Sequence, residues 1–578
     1  MKLDTPTVAA VSRTAAAMQP YSPPSTGAQI DLRLDANEGP ISACSLDVAR
    51  LVAELGPEAL RRYSNAAPLE RLIAARWSVD PAQVLVTAGG DEAIDRACRA
   101  LLAPGREVVL PVPTFEMIAR DAMLAGADIV SVDWPEGRYP VEQVLDRVTD
   151  RTAMIAVVSP NNPTGAVASA SDLERLSDAA PDATLLVDCA YAEFADEDLT
   201  TAALRLSNAV VIRTFSKAFG LAGLRVGYAV GSAAAIRAMR GAGGPFPVSG
   251  LSLAIAERAF AQASERLPAS VARVRVERER LAALLAELGA RPRTSQGNFV
   301  LADLDDAEWA WRALAGLGIG VRRFVDRPGL DRSLRISCPG DEAGFERLCS
   351  GLRAALRPQA MLLDLDGVIA DVSNSYRLAI TRTAASFGVE LGSDDIAAAK
   401  AEGDANNDWI LTQRLLARRG VAAPLAEVTA RFEALYHGHG GMPALSSAER
   451  LIPDREFLRR LSRRMPLAIV TGRPRRDCAQ FLARFELMDI FRAVVCMEDA
   501  PAKPSPEPVE RAMRLLRVDA AWMVGDTPDD ARAARAAGVV PIGIAPPGES
   551  AGAAQAALAE HGVARILGSL EELEEMLP

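Results

Sequence analysis

Val210–Tyr228, VVIRTFSKAFGLAGLRVGY, is the stretch on which the reading of this chain turns. The β-branched run Val210-Val211-Ile212 predicts a buried strand. It stops at Thr214-Phe215-Ser216-Lys217, and Gly220, Gly223 and Gly227 then let the backbone turn tightly. A lysine placed where a hydrophobic strand ends is costly, because a buried ammonium must be paired or lose its proton. That cost suits a Schiff-base lysine, whose amine is freed when desolvation lowers its pKa. Ser216 and Arg225 are the groups needed to hold a phosphate beside it. A snorkelling lysine and a surface arginine at a strand end are the plainer alternative.

Outward from this stretch, short apolar runs alternate with helical patterns. Strands are expected at 84–89, 107–112, 128–134, 153–159, 184–190, 209–214 and 225–230, with helices between them such as 91–102 and 171–179. This alternation predicts an α/β fold with a largely parallel sheet. One long helix is expected over 251–288, then strands at 299–304, 320–324 and 333–337. Near Arg357-Pro358-Gln359 the pattern restarts with a new apolar run, 360–364, and further strands at 466–471, 493–497, 521–525 and 540–544. Residues 372–464 are almost wholly helical in composition and read as an insertion into this second α/β core. The expected domains are therefore 1–357, with a small α+β part from the N-terminal segment and about 251–357, and 359–578 with a cap over about 372–464.

The bulk numbers set the class. A chain of 578 residues is too long for one core. A net charge of −11 argues against nucleic acid and acidic membrane surfaces as partners. No apolar run is long enough to span a bilayer, and Asp4 and Arg13 interrupt any signal-peptide core. The seven cysteines are scattered without a CxxC pair, the pattern of free thiols in a reducing cytoplasm. Only His437, His439 and His561 exist, so a Ser-His-Asp triad or a His-rich metal site is excluded from the first 436 residues. Acid–base work there falls to Lys, Asp, Glu, Tyr or a cofactor. His437 and His439, flanked by glycines, read as a solvated loop or a metal site.

Five further features converge on Lys217. Thr87-Ala88-Gly89-Gly90-Asp91-Glu92 lies between a strand and a helix, a phosphate-binding N-terminus or a plain glycine turn. Pro160-Asn161-Asn162-Pro163-Thr164-Gly165 follows another strand. Asp188 and Tyr191 close a third, and an acid buried there needs a cation such as a pyridinium N–H. Phe115 could stack on a flat ring or simply fill the core.

With these motifs in hand, residues 1 to about 355 resemble a fold-type I, pyridoxal-phosphate-dependent aminotransferase, and most closely the histidinol-phosphate aminotransferases. LDANEGP, RRYS, TAGGDEA, SPNNPTG, DCAY, TFSKAFGLAGLRVGY, GIGVR and LRIS occur in that family's order. The resemblance implies that Lys217 carries the cofactor as a Schiff base and moves the proton at the α-carbon. It implies that Asp188 keeps the pyridine nitrogen protonated, Tyr191 and Asn162 contact the ring oxygen, and Phe115 stacks on the ring. Gly90, Asp91, Thr214, Ser216 and Arg225 would cradle the cofactor phosphate. Tyr63 would reach the cofactor phosphate of a neighbouring subunit, which implies a homodimer. Arg335 would clamp the carboxylate of an amino donor such as glutamate. Arg322 and Tyr21 would hold the phosphate of histidinol phosphate. A surface arginine and a packed tyrosine are the alternatives, and the doubled Arg322-Arg323 leaves the register open.

In the second half, Asp364-Leu365-Asp366-Gly367 closes an apolar strand, and Gly525-Asp526-Thr527-Pro528-Asp529-Asp530 closes a later one. Carboxylates crowded at one sheet edge repel unless a cation such as Mg²⁺ lies among them. Thr471-Gly472 and Lys503-Pro504 add a hydroxyl and a cation. The set resembles the haloacid dehalogenase superfamily of phosphatases, with the helical insertion as cap. The resemblance implies that Asp364 attacks phosphorus and that Asp366 acts as general acid and then base. Thr471 and Lys503 would hold phosphoryl oxygens. Mg²⁺ would rest on Asp364, the Asp366 carbonyl and Asp526, with Asp530 nearby. The cap residues Asn406-Asn407-Asp408-Trp409 would choose the substrate. The expectation is a cytoplasmic aminotransferase fused to a Mg²⁺-dependent phosphatase. Its rivals are a lyase of the threonine-phosphate decarboxylase kind on the same fold, and a second half that only binds a phospho-ligand.

Overall fold

The computed structural model describes residues 15–16, 18–20, 22–40, 46–403, 405–547 and 551–577. They divide into two compact units. One holds Leu34–Asp305 and Arg322–Phe345 with the residues before Ser25; the second holds Ser25–Arg33, Asp306–Val321 and the chain from Glu346 onward.

The first unit is built on seven strands: β1 (Val84–Thr87), β2 (Glu107–Val112), β3 (Asp128–Asp133), β4 (Thr152–Val158), β5 (Thr184–Asp188), β6 (Ala209–Thr214) and β7 (Gly227–Gly231). They lie in the order β1-β7-β6-β5-β4-β2-β3, parallel except for β7, which runs against both neighbours. Every residue of β1, β4, β6 and β7 is buried. Such continuous apolar runs follow from covering a sheet on both faces. Alternate side chains divide between two cores: Val157, Val187 and Val211 on one, Val158, Leu186 and Ile212 on the other. Helix α1 (Gly89–Leu101) follows β1 directly.

Two expected elements shift. The strand read from Arg225 begins at Gly227, because Arg225 takes a left-handed φ of 52° at the end of the turn Ala222–Leu224. The single helix read over 251–288 is two, Gly250–Ala261 and α2 (Ala263–Glu287), parted at Gln262. Beyond them β8 (Phe299–Asp303), β9 (Ile319–Arg323) and β10 (Ser333–Ser337) pair antiparallel, β10 accepting β8 along its length and Arg322–Arg323 of β9 beside it.

The second unit carries α3 (Ala307–Gly316), the later turns of α4 (Glu342–Leu356) and a six-stranded parallel sheet. Its strands are β11 (Ala360–Leu363), β12 (Leu467–Val470), β13 (Ala493–Val495), β14 (Ala521–Gly525), β15 (Val540–Ile544) and β16 (Ile566–Leu567), in the order β13-β12-β11-β14-β15-β16. After β11 the chain leaves through Ala370–Asp371 and returns antiparallel to it through Arg450–Leu451. Between them stand the cap helices α5 (Tyr376–Ser386), α6 (Ser393–Ala401), α7 (Asp408–Arg418) and α8 (Leu425–His437). Helix α9 (Arg455–Arg464) lies past this ribbon and ties Arg460 and Arg464 to the C-terminal Glu574 and Leu577. Composition alone cannot part a cap helix from such a crossover helix.

Trp522 of β14 is fully buried, and its indole N–H donates to the Ala354 carbonyl at 2.7 Å. The Trp309 ring of α3 meets it edge-on at 4.6 Å and donates to Ala355 O at 2.9 Å. Gly316 ends α3 where a Cβ would come within 3.0 Å of Gly562 O. Within the second unit the parallel sheet thus packs on Ala307–Gly316 and on the end of α4, both of which precede the motif restart at Gln359. A fragment beginning at Gln359 leaves the Trp522 N–H unpaired and its ring uncovered, whereas one beginning at Asp306 keeps both contacts. The shorter fragment is expected to be less stable by about 2 kcal/mol or more, roughly 5 °C in midpoint. Thermal unfolding of the two side by side tests this; equal midpoints would refute it.

Candidate active sites

In the first unit the expected residues gather at the C-terminal ends of β4, β5 and β6, where open α/β sheets place their ligands. Lys217 follows β6, half-buried, with Nζ 3.3 Å from the Ala36 carbonyl and 5.6 Å from the centre of the Tyr191 ring. The sequence reading of a desolvated lysine overshoots, because the strand ends three residues earlier and the side chain emerges from the core. Asp188 ends β5, buried, and burial pushes its carboxyl up to about 6. The Ala190 N–H at 3.0 Å and Lys217 act against that rise, and Asp91 adds to it.

Missing side chains shape the turn expected to cradle a phosphate. A Cβ on Gly227 would strike Gly89 C and Gly90 N at 2.5 and 2.6 Å, and one on Gly89 would meet the Arg225 guanidinium at 2.6 Å. Arg225 reaches Asp91 at 2.9 Å, and Thr214 Oγ1 donates to Ser216 Oγ at 3.0 Å beside the start of α1. Phe115 caps the next helix, half-buried against the core beneath it. These groups fit pyridoxal phosphate: backbone N–H groups and a guanidinium for the phosphate, a buried acid whose raised pKa calls for a cationic N–H, and an amine within reach.

Asn162 and Arg335 meet, with Arg335 Nη1 donating to Asn162 Oδ1 at 2.5 Å and Nη2 to Asp35 O at 2.6 Å. Arg322 stands directly opposite Arg335 across β9 and β10, whereas Arg323 stands opposite Leu334 on the other face. The register therefore puts Arg322, and not Arg323, on the face of Arg335. Tyr63 is 84% exposed, stacked on Phe246 at 4.7 Å and away from this cluster. Tyr21 lies outside the described residues. Sequence reasoning passed over Asn37, in LDANEGP. It is buried, accepts from Ser337 Oγ at 2.7 Å and donates to the Tyr191 hydroxyl at 3.1 Å.

In the second unit Asp364, Thr471, Lys503, Asp526 and Asp530 are all buried at the C-terminal sheet edge. Lys503 Nζ lies 2.9 Å from Asp364 Oδ1, bonds Asp530 Oδ1, and donates to Val470 O at 3.1 Å. Carboxylate oxygens of Asp364, Asp526 and Asp530 fall within 4.8 Å of one another. Burial pushes the Asp364 and Asp526 carboxyls up, and the neighbouring acids add to it. A hard divalent cation relieves that crowding, so the donor set fits Mg²⁺. The second oxygen of Asp530 serves Thr527, whose hydroxyl donates to it at 2.6 Å, so both of its oxygens are engaged within the protein. Gly367 leaves room for Asp526, whose carboxylate would lie 2.2 Å from a Cβ there.

Asp366 does not join this cluster directly. Its Oδ1 takes Arg473 Nε at 2.6 Å, and its side chain lines a cavity with Tyr376, Asn406, Asn407, Asp408, Trp409 and Gly472. Asp529, also passed over in the sequence, holds the cap by accepting from Ala405 N and Asn406 Nδ2 at 3.0 and 2.8 Å. His439 lies in the exposed loop expected of it, whereas His437 does not. His437 ends α8 with Nε2 3.0 Å from Glu433 and 3.3 Å from Asp477.

A β-sheet of this order with a lysine, an acid and a glycine cradle at its strand ends is the architecture of a fold-type I transferase. Residues 49–352 match the class I and II aminotransferase family, and residues 358–538 match the haloacid dehalogenase-like hydrolases. A histidinol-phosphate aminotransferase of Paracoccus denitrificans is 37% identical over 334 residues, 56% of this chain and 88% of that one. An imidazoleglycerol-phosphate dehydratase of Phytophthora nicotianae is 50% identical over 197 residues, 33% of this chain, and the chain spans only 44% of that relative's length. The solved histidinol-phosphate aminotransferase of Sinorhizobium meliloti, in complex with pyridoxal-5'-phosphate, shares the fold at a TM-score of 0.54 and 24% identity, covering 60% of this chain and 97% of its own. The chain belongs to the class I and II aminotransferases, and its second half carries a haloacid dehalogenase-like hydrolase domain. Pyridoxal phosphate is the cofactor that fits this family. No described helix is long and apolar enough to cross a membrane.

Asp188 gives a test of the cradle that needs no turnover. An acid raised from 3.8 to about 6 binds its proton more tightly in the folded than in the unfolded chain. Its stability contribution is therefore present below pH 3.8 and is lost as pH rises through about 6. The shift corresponds to roughly 3 kcal/mol. Cofactor-free Asp188→Asn is expected to be more stable than the parent at pH 7, by up to about that amount, with the difference shrinking toward pH 4. Denaturant melts at the two pH values measure it, and a pH-independent difference would contradict the buried-acid assignment.

Proposed function

We propose that the first unit transfers an amino group between glutamate and imidazole-acetol phosphate, giving histidinol phosphate and 2-oxoglutarate. The second unit, in this reading, hydrolyses a phosphate monoester, with histidinol phosphate as the shared compound. The observation that carries the substrate reading is the cross-strand pair Arg322 and Arg335. The two guanidiniums stand on the same face of the sheet, where each can take one anion. One arginine for a phosphate and one for a carboxylate suits substrates that alternate between a phosphorylated amino alcohol and a dicarboxylic acid. The two relatives, a histidinol-phosphate aminotransferase and an imidazoleglycerol-phosphate dehydratase, support the same substrate class by their names.

Pyridoxal phosphate would lie with its phosphate against Gly90, Asp91, Thr214, Ser216 and Arg225. Its ring nitrogen would face Asp188, its ring oxygen Tyr191 and Asn162, and its face Phe115. When bound it supplies an electron sink for the bonds at the amino carbon. Lys217 Nζ takes the proton from that carbon and returns it, while Asn37 fixes the Tyr191 hydroxyl. The exposed Tyr63 suits a site completed by a second copy, so a homodimer is part of the proposal.

In the second unit Asp364 attacks phosphorus and carries the phosphoryl group as Asp366 protonates the departing alkoxide. Asp366 then takes a proton from the water that frees phosphate. Thr471 and Lys503 hold phosphoryl oxygens, and Asp530 fixes Lys503. Mg²⁺ on Asp364, Asp526 and the Asp366 carbonyl would neutralise the gathered negative charge. Transamination is close to balanced in free energy, so hydrolysis of its product draws it forward. The expected compartment is the cytoplasm.

Incubation with histidinol phosphate, 2-oxoglutarate and Mg²⁺ should release both glutamate and inorganic phosphate. Lys217→Ala should abolish only glutamate and the absorbance near ~400–430 nm of the loaded protein; Asp364→Asn should abolish only phosphate. Release of neither product, with a generic phosphate ester still hydrolysed, would overturn the substrate assignment. Arg322→Ala should raise KM for histidinol phosphate about 10–100-fold and Arg323→Ala should not, since a charge-assisted bond is worth about 1.5–3 kcal/mol.

A further inference from the structure

Among the described residues, Arg473 is the one cation buried outright beside the phosphatase acids that the proposed chemistry does not use. It is 1% exposed, with its guanidinium 4.7 Å over the Tyr376 ring and 5.4 Å over the Phe481 ring. On one side Nε donates to Asp366 Oδ1 at 2.6 Å, and Nη2 lies 2.5 Å from the same oxygen, which leaves Oδ2 to carry the proton. On the other, Nη1 faces the Tyr436 hydroxyl at 3.4 Å and Glu449 Oε2 at 3.3 Å, and Nη2 lies 3.1 Å from Glu449 Oε1. Tyr436 belongs to α8, and Glu449 directly precedes the returning strand of the ribbon. Glu449 is itself fixed, accepting from Ser375 Oγ and Tyr436 OH at 3.0 Å each. The guanidinium thus joins the side chain at the cavity, Asp366, to the inserted helices and their return.

We propose that Arg473 is a positioning residue that aims Asp366 at the leaving oxygen, and that Glu449 and Tyr436 hold Arg473 in that pose. Seating the inserted helices and aiming the proton donor are then one event. This rests on the reading of Asp366 as proton donor. As the Asp364–phosphorus bond forms and the ester P–O bond breaks, the proton passes from the Asp366 carboxyl to the departing oxygen; Arg473 keeps its own protons and charge. The planar fork matters, since it spans two carboxylates at fixed angles and a lysine ammonium cannot.

A mis-aimed acid harms substrates in proportion to their need for protonation. The readout is the ratio of kcat/KM for an alkyl phosphate, whose alkoxide leaves poorly, to that for p-nitrophenyl phosphate, whose phenolate leaves unaided. The full chain is assayed with Mg²⁺. Asp366→Asn should lower this ratio, which establishes the donor. Arg473→Lys should lower it about tenfold or more, and Glu449→Gln should lower it less, in the same direction. Glu449→Gln keeps the side-chain volume and one accepting oxygen while replacing the other with an NH2 that cannot accept from Arg473, so the proposal stays testable if Arg473→Lys fails to fold. If Asp366→Asn lowers the ratio while the Arg473 and Glu449 variants slow both substrates equally, Arg473 is only structural and the proposal falls. If Asp366→Asn leaves the ratio unchanged, the donor assignment falls and takes the proposal with it.

Discussion

Charge buried at the C-terminal ends of parallel strands is what each unit is built to hold. A parallel strand covered on both faces must be apolar along its length, so its end is the first place where a polar side chain can turn aside. Asp188 stands there in the first unit, and Asp364, Thr471 and Asp526 stand there in the second. Desolvation raises the acids, and each unit answers with a lysine: Lys217 opposite Asp188, Lys503 between Asp364 and Asp530. Lysine has the reach to arrive from a different loop and a charge compact enough to fit. Glycines clear the ground, Gly227 for the start of α1 and Gly367 for Asp526.

Much of this was legible in the sequence because apolar runs that end in acids, hydroxyls or lysine break the usual pairing of hydrophobicity with inertness. Asp188, Asp364 and Asp526 stand out by that contrast, whereas Lys503, in a loop after β13, gains meaning only from the order of motifs around it. What the sequence hides is selection among equals. Arg473 is one of three arginines in TGRPRR, and only the fold shows that it is buried while Arg475 stays outside. Arg322 and Arg323 differ only in strand parity, which needs the register with β10. Asn37 acts on Tyr191 across 154 residues, a separation that no local pattern reports. Lys217 errs the other way, since a strand-end position suggests more burial than the emerging side chain receives.

Packing of α3 on β14 shows the same limit at the level of whole elements. Residues 307–316 lie within the stretch matched by the aminotransferase family, yet Trp309 meets the phosphatase-like sheet at Trp522. An amphipathic helix carries no label for the sheet it will cover. Shape decides: Gly316 admits the Gly562 carbonyl, and the Arg535 and Arg347 guanidiniums close on Asp31.

The segment Asp35–Gly39 has a consequence in time. Ala36 is bound by Lys217, 181 residues later, while Asp35 and Asn37 are bound by Arg335 and Ser337, each 300 residues later. Gly39 lies so close over the Lys217 carbonyl that a Cβ would collide with it. At a ribosomal rate of ~5–20 residues per second, this segment leaves the ribosome roughly 15–60 s before its last partners exist. It is made before the sheet and seated only after Arg335 and Ser337 follow, so nascent chains long enough to form the seven-stranded sheet still lack the anchors of the strap across its lysine.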